Sequence, residues 1–263
     1  MYNDYINTFK YTMSKLKKLI LNWESGNVYT TEYLNTLGYS TTLLARYKYS
    51  NWIQSLGKGA FIKNGDLLNW KGGVLALQEQ LNLKVHIGAA SALKLYGISH
   101  YAYRDKEKIF LFAEPSVRLP KWFSDQKWDQ EIKYFSSKLF KTNVGILSKK
   151  IDGFTLKMSS RERALFEQLY LVPKFEDSIE SARLFEGLKT LRADLIQKLL
   201  EECNSIKVKR LFMYISEKLD YPWVRKLDLN NIDFGTGART IDKGGKMNSK
   251  YKIVVKEDRF GVL

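Results

Sequence analysis

The sequence predicts an α+β fold: an N-terminal winged helix-turn-helix followed by a larger mixed α/β domain. Three observations point there. Thr31–Lys63 strings together two short helical patterns, a glycine break and a hairpin pattern, the order of a winged helix-turn-helix. The stretch "NGDLLNWKGG" is polar and glycine-rich, which places a domain boundary near residue 70 and divides the chain into 1–69 and 70–263. Beyond it, helical and strand patterns alternate to the end.

The elements follow in order. In "MSKLKKLILNW", Met13, Leu16, Leu19, Ile20 and Trp23 share a helical face, with Lys15, Lys17 and Lys18 off it. After a turn at Ser25-Gly26-Asn27, a second helix fits Thr31–Leu37 and Gly38 ends it. A third fits Thr41–Tyr49, with Ser40 as N-cap. "NWIQSL" and "AFIK" read as strands joined by Gly57-Lys58-Gly59. Then come a helix at Val74–Leu81, a strand at "KVHI", a helix at "AASALKLYG" closed by Gly97, and a strand at "KIFLFAE". Strand pieces recur at Val144–Leu147 and Phe154–Met158. "SSRERALFEQLYL" opens with a capping box, Ser159 to Glu162. Helices fit Ser178–Glu186, Ala193–Glu202 and Ile206–Leu219, and the tail alternates strands with glycine turns.

Composition narrows the function. Hydrophobic residues are 44% and aromatics 14% of 263, which suits a globular chain with a sizeable core. The net charge of +15 calls for a polyanion, nucleic acid or an anionic membrane surface. Cys203 is the lone cysteine, so no internal disulfide forms, and its setting "LLEEC" suggests a small buried residue. No leader pattern or membrane-length apolar run is present, so a soluble cytoplasmic protein is expected.

The third helix reads as a recognition helix. At 100° per residue Leu43, Leu44 and Tyr47 face the core, and Thr41, Thr42, Ala45, Arg46 and Tyr49 face away. Small residues let the backbone enter a major groove, hydroxyls reach phosphates or base edges, and Arg46 can fork onto guanine. Lys48 lies at the edge of this face, and Lys58 and Lys63 of the hairpin would reach the flanking backbone. The bland alternative is a small helical domain with a solvated Thr/Arg face. Residues 1–82 hold nine basic against five acidic side chains, so +11 of the charge lies beyond them. The larger domain therefore has a polyanion of its own or extends the footprint on DNA.

Several long blocks in order carry a family resemblance: "LGYSTTLLARYKYSNWIQSLGKGAF", "LQEQLNLKVHIGAASALKLYGISHY", "LPKWF", "SSRERALFEQLYLVP", "EGLKTLRADLIQKLLEECNSIKVKRLF" and "DFGTGARTIDKGGKMNSKYKIVV". In these the chain resembles AbiEi-type antitoxins of type IV toxin–antitoxin and abortive-infection systems. The resemblance implies a winged-helix repressor fused to an antitoxin domain. The first part would bind inverted repeats in double-stranded promoter DNA. The second would counter a nucleotidyltransferase-like toxin without a stable complex. Neither catalysis nor a cofactor is implied, and the resemblance assigns no neutralising residue.

Other motifs are weaker. "DFG" at Asp233–Gly235 and "GTGARTIDKGGK" lack the companion motifs of kinases and phosphate loops, and read as turns. His86 and His100 are the only histidines, too few with Cys203 for a zinc site, and His86 reads as packed or hydrogen-bonded. Asp129, Glu131 and Lys133, with Glu114 upstream, offer a rival reading as a Mg²⁺-dependent nuclease. A ligand-sensing transcription factor is the other rival. In the helix at Ile206–Leu219, Val208, Leu211, Phe212, Ile215 and Leu219 form the apolar stripe, while Lys207, Lys209 and Arg210 point off it. They read either as a solvated face or as an RNA- or partner-binding patch joined by Arg225, Lys226 and Arg239.

Overall fold

A computed structural model describes residues 13–98 and 106–256, so His100 lies outside the described residues. The first unit comprises α1 (Lys15–Asn22), β1 (Tyr29–Thr30), α2 (Thr31–Thr36), α3 (Thr41–Tyr49), β2 (Ile53–Ser55) and β3 (Ala60–Lys63). Hydroxyls start all three helices: Ser14 accepts from the Lys17 amide, Thr30 from Tyr33 and Ser40 from Leu43. Gly38, at φ +84°, makes the left-handed turn between α2 and α3. The strands form an antiparallel sheet in the order β1-β3-β2. Leu19, Trp23, Leu34, Tyr39, Leu44, Tyr47 and Ile53 fill its core, while Met13 stays outside. This is the expected winged helix-turn-helix.

The larger unit opens with α4 (Trp70–Leu75), which runs straight into a wider π-type turn over Ala76–Gln80. The helix begins four residues before the expected Val74, because Asn69 caps it. Gly72 and Gly73 weaken its helical signal, yet close packing requires them. A Cβ on Gly72 would lie 1.9 Å from the Gly26 carbonyl oxygen, and one on Gly73 2.6 Å from the Trp128 ring. Then follow β4 (Val85–Ile87), α5 (Ala89–Leu95), β5 (Lys108–Ala113), α6 (Lys121–Ser124), β6 (Glu131–Ser136), β7 (Ile146–Ile151) and β8 (Phe154–Ser159).

Five strands pair in the order β6-β5-β4-β8-β7, with β5–β6 and β4–β8 parallel and the other neighbours antiparallel. Strand β5, inside the sheet, is buried on both faces. Ile109, Leu111 and Ala113 enter the main core, and Phe110 and Phe112 pack with Ala89 and Leu171. Edge strand β6 was not expected. Its charged sequence stays half-exposed and shows no apolar run. Gln78 is fully buried and stitches the diverging ends of β4 and β8, donating to the Val85 and Lys157 carbonyls and accepting from the Lys157 amide.

Helices α7 (Arg161–Leu171), α8 (Ser178–Glu186), α9 (Ala193–Glu202) and α10 (Ile206–Lys218) follow, then a 3-10 turn at Pro222–Lys226. The cap of α7 is Ser160 rather than the expected Ser159, whose hydroxyl turns inward to Glu167 at 2.7 Å. A small sheet closes the fold: β9 (Arg239–Thr240), β10 (Lys246–Asn248) and β11 (Ile253–Val255), in the order β10-β11-β9. Among the described residues no helix is long and apolar enough to cross a membrane.

The two units share a core. Val28, Ala60 and Ile62 leave the winged helix to join the main cluster with Trp70, Val74 and Trp122.

Candidate nucleic-acid interface

Helix α3 sorts its residues as its period requires. Leu44 and Tyr47 are buried and Leu43 is half-buried, whereas Thr41, Thr42, Ala45, Arg46, Lys48 and Tyr49 are exposed, as is the cap Ser40. The Arg46 side chain makes no hydrogen bond or ion pair among the described residues, so its five donors face solvent. Lys58 stands at the hairpin tip, between Gly57 and Gly59 at φ +109° and +99°, and it too is exposed and unpaired there. Hydroxyls and a free guanidinium therefore share the exposed face of α3, while the free ammonium of Lys58 stands at the hairpin tip, whose flanking glycines lie beside Trp122.

Lys63 departs from expectation. Its ammonium lies 3.5 Å from Asp66 and 3.5 Å from the Trp23 carbonyl. The reason is its position at the root of the hairpin, opposite Ile53, where the side chain reaches back across the domain. Sequence reading placed Tyr49 on this face but missed Trp52 beside it. Tyr49 is 90% exposed and Trp52, just beyond α3, is 47% exposed. The signal was available, since a bulky aromatic follows Tyr49 within three residues, next to the basic Lys48.

The charged face expected on α10 is overturned. Arg210 is 1% exposed and Lys209 5% exposed, because α10 lies between other elements on every side. Arg210 instead organises the tail: Nε donates to the Phe234 carbonyl at 2.6 Å, Nη1 to Gly237 at 2.6 Å and Lys252 at 3.1 Å, and Nη2 to Gly235 at 2.9 Å. Lys207 donates to the Tyr170 carbonyl at 3.0 Å and to that of Val172, and burial pulls its ammonium down to about 8. Arg225, Lys226 and Arg239 do reach the surface, with Arg225 paired to Asp220 at 3.2 Å. The "DFG" stretch is a turn, in which the Asp233 carboxylate accepts from the Gly235 amide at 2.7 Å.

A polar cluster lies inside the larger unit. Glu167 receives His86 Nε2 at 2.8 Å, Arg163 Nε at 2.9 Å, the Ser159 hydroxyl at 2.7 Å and the Ala89 amide at 3.2 Å. Burial opposes ionisation of Glu167, but the charge and hydrogen bond of His86, with Arg163 and Ser159, outweigh it and pull the carboxyl down to about 2. An ionised Glu167 carries no proton, so His86 Nε2 donates. His86 is thus a hydrogen-bonded interior histidine, as expected. Cys203 is buried, which pushes its thiol up to about 11.

The carboxylates of the rival nuclease reading are engaged separately. Glu131 pairs with Lys133 at 2.6 Å and Glu114 with Lys84 at 3.6 Å. Among the described residues no three His, Cys, Asp or Glu side chains gather so as to hold a metal ion.

Comparison with known proteins agrees with this architecture. No curated protein matches the chain. Among solved structures, the crystal structure of RV2827C protein from Mycobacterium tuberculosis superposes with a TM-score of 0.57 at 14% identity, covering 91% of this chain and 89% of that one, which shows a shared fold. Two family models match. Residues 12–103 match "Transcriptional regulator, AbiEi antitoxin N-terminal domain", and residues 106–256 match "Transcriptional regulator, AbiEi antitoxin, Type IV TA system". Together they span the winged helix, the five-stranded sheet and the helices behind it, and the chain belongs to the AbiEi antitoxin family of transcriptional regulators of type IV toxin–antitoxin systems.

Proposed function

We propose that the protein represses its own operon by binding inverted repeats in double-stranded promoter DNA through α3 and the hairpin, and that it counters a nucleotidyltransferase-like toxin without a stable complex. One observation carries the first half: Thr41, Thr42, Arg46 and Tyr49 are exposed on α3 while Leu44 and Tyr47 on the same helix anchor it. A helix held by one side and offering short hydroxyls plus an unengaged arginine on the other fits a major groove. Lys48 and Lys58 then contact phosphates and supply sequence-independent affinity. The division at residue 70 assigns promoter binding to 1–69 and toxin opposition to 70–263.

The role is non-catalytic and cytoplasmic in this reading, and the larger domain opposes the toxin at a shared polyanion such as RNA. Arg225, Lys226 and Arg239 are the residues of the expected patch that remain available for it. Two experiments test the proposal. Gel-shift titration with the promoter of the protein's own operon should give a saturable, salt-dependent complex. Co-expression with the adjacent reading frame should restore growth. Promoter DNA bound no better than random duplex would refute the first half, and continued arrest the second.

A further inference from the structure

A cleft of about 590 Å³ opens at the carboxyl ends of the parallel strands β5 and β6. The volume suits a small organic molecule, and strand carboxyl ends are where open α/β sheets commonly hold ligands. Arg163 lines it and is only 6% exposed. Its Nε is bound to Glu167, and its Nη1 donates to the carbonyls of Thr142 at 3.1 Å and Val144 at 2.7 Å. Nη2 has no hydrogen bond among the described residues. The guanidinium is therefore fixed in orientation, with the two N–H groups of Nη2 left open for a ligand in the cleft.

The surrounding charge is unbalanced in the same sense. Arg163 is offset by Glu167, and Lys84 by Glu114. Lys138 and Lys141, on the loop after β6, are exposed and without an ion pair among the described residues. Two positive charges are left over at the mouth, above a wall that includes Leu139 and Pro115. A phosphate monoester carries close to two negative charges at neutral pH and three acceptor oxygens.

We propose that this cleft binds a small phosphorylated ligand, its phosphate held between Arg163 Nη2 and the ammonium groups of Lys138 and Lys141, and its uncharged part against Leu139 and Pro115. Arg163 supplies a preoriented donor, and the lysines supply charge without fixed geometry. Such a site would let the larger domain respond to a metabolite independently of the DNA-reading helix.

The test uses the full chain, with inorganic phosphate, ribose 5-phosphate and ribose as probes in calorimetric titration. Inorganic phosphate should bind saturably with a dissociation constant of about 1–10 mM, as befits a single small anion. Ribose 5-phosphate should bind more tightly, and ribose not at all. The double variant Lys138→Glu/Lys141→Glu changes exposed residues only, so it should melt with the parent yet bind both phosphates at least about ten-fold more weakly. Arg46→Ala should bind them as the parent does, which separates this site from the DNA-reading helix. Absence of saturable phosphate binding, equal binding of ribose, or full affinity in the double variant would overturn the proposal.

Discussion

The side chain of Gln80 completes the backbone at Thr30. Its Oε1 accepts from the Thr30 amide at 2.8 Å, and its Nε2 donates to the Val28 carbonyl at 2.8 Å. An amide group from the larger unit thus pairs with β1 as a neighbouring strand would, at the place where Val28, Ala60 and Ile62 enter the shared core. The two units are docked by apolar packing and by a specific polar clasp.

Gln80→Ala should therefore strand two backbone groups in a buried setting, at a cost of about 1–3 kcal/mol. Hydrogen exchange of the Thr30 amide reads this directly. It should accelerate in the variant while the amides of β5 stay protected. Unaltered exchange at Thr30 would show that the clasp is dispensable.

In the reading head, Arg46→Ala should cost about 1–3 kcal/mol of promoter binding and relax discrimination at one base pair. Lys58→Ala should weaken specific and random DNA alike and lower the salt slope by about one. Gel shifts at several salt concentrations distinguish the two. An Arg46→Ala protein that folds and keeps full affinity would turn α3 away from the groove.

Arg210→Met removes the donor shared by four carbonyls of the tail, those of Phe234, Gly235, Gly237 and Lys252, which lie on half-buried or exposed residues. The expected loss is roughly 1–3 kcal/mol, the cost of leaving such polar groups without their partner. Limited proteolysis should then cut first within 233–256. Reversing Lys207, Lys209 and Arg210 together to Glu should prevent folding, because all three sit in or against the interior rather than on a solvated face.

Glu167 gives an acid dependence of definite sign. Its carboxyl is pulled down to about 2, below the ordinary 4.5, so its contribution is fully present above pH 4.5 and lost as pH falls towards 2. At 1.36 kcal/mol for each factor of ten in acidity, this amounts to roughly 3 kcal/mol. Urea unfolding between pH 7 and 2 should show a shallower acid-range decline for Glu167→Gln, which is already destabilised at pH 7. Parallel curves would place the acid sensitivity elsewhere.

The legible parts of the sequence were those written in local chemistry. The helices from α1 to α3, with the Ser40 cap, the Gly38 turn and the hairpin at Gly57-Lys58-Gly59, follow from capping, period and glycine placement within a few residues. The long helices α8, α9 and α10 also lay within a residue of expectation. Harder were β6, whose charged edge has no apolar run, and the first turn of α4, whose glycines read as a break. Among the residues expected to reach DNA, Lys63 is engaged within the fold by Asp66 and Trp23, partners 3 and 40 positions distant.

By itself, then, the sequence determined that an N-terminal winged helix presents a basic, hydroxyl-bearing helix face, and that a strongly positive mixed domain follows. Only the tertiary structure decided what becomes of the polar sides of α7 and α10. Periodicity reports which side of a helix is apolar, because that depends on the helix alone. Whether its polar side meets water or a second layer depends on elements far along the chain. For Arg210 that layer is the tail at 234–252, and for Arg163 it is Glu167 and the loop at 142–144. A charge that reads as surface is buried there because backbone carbonyls and a carboxylate satisfy it, and those partners are brought together only by the fold.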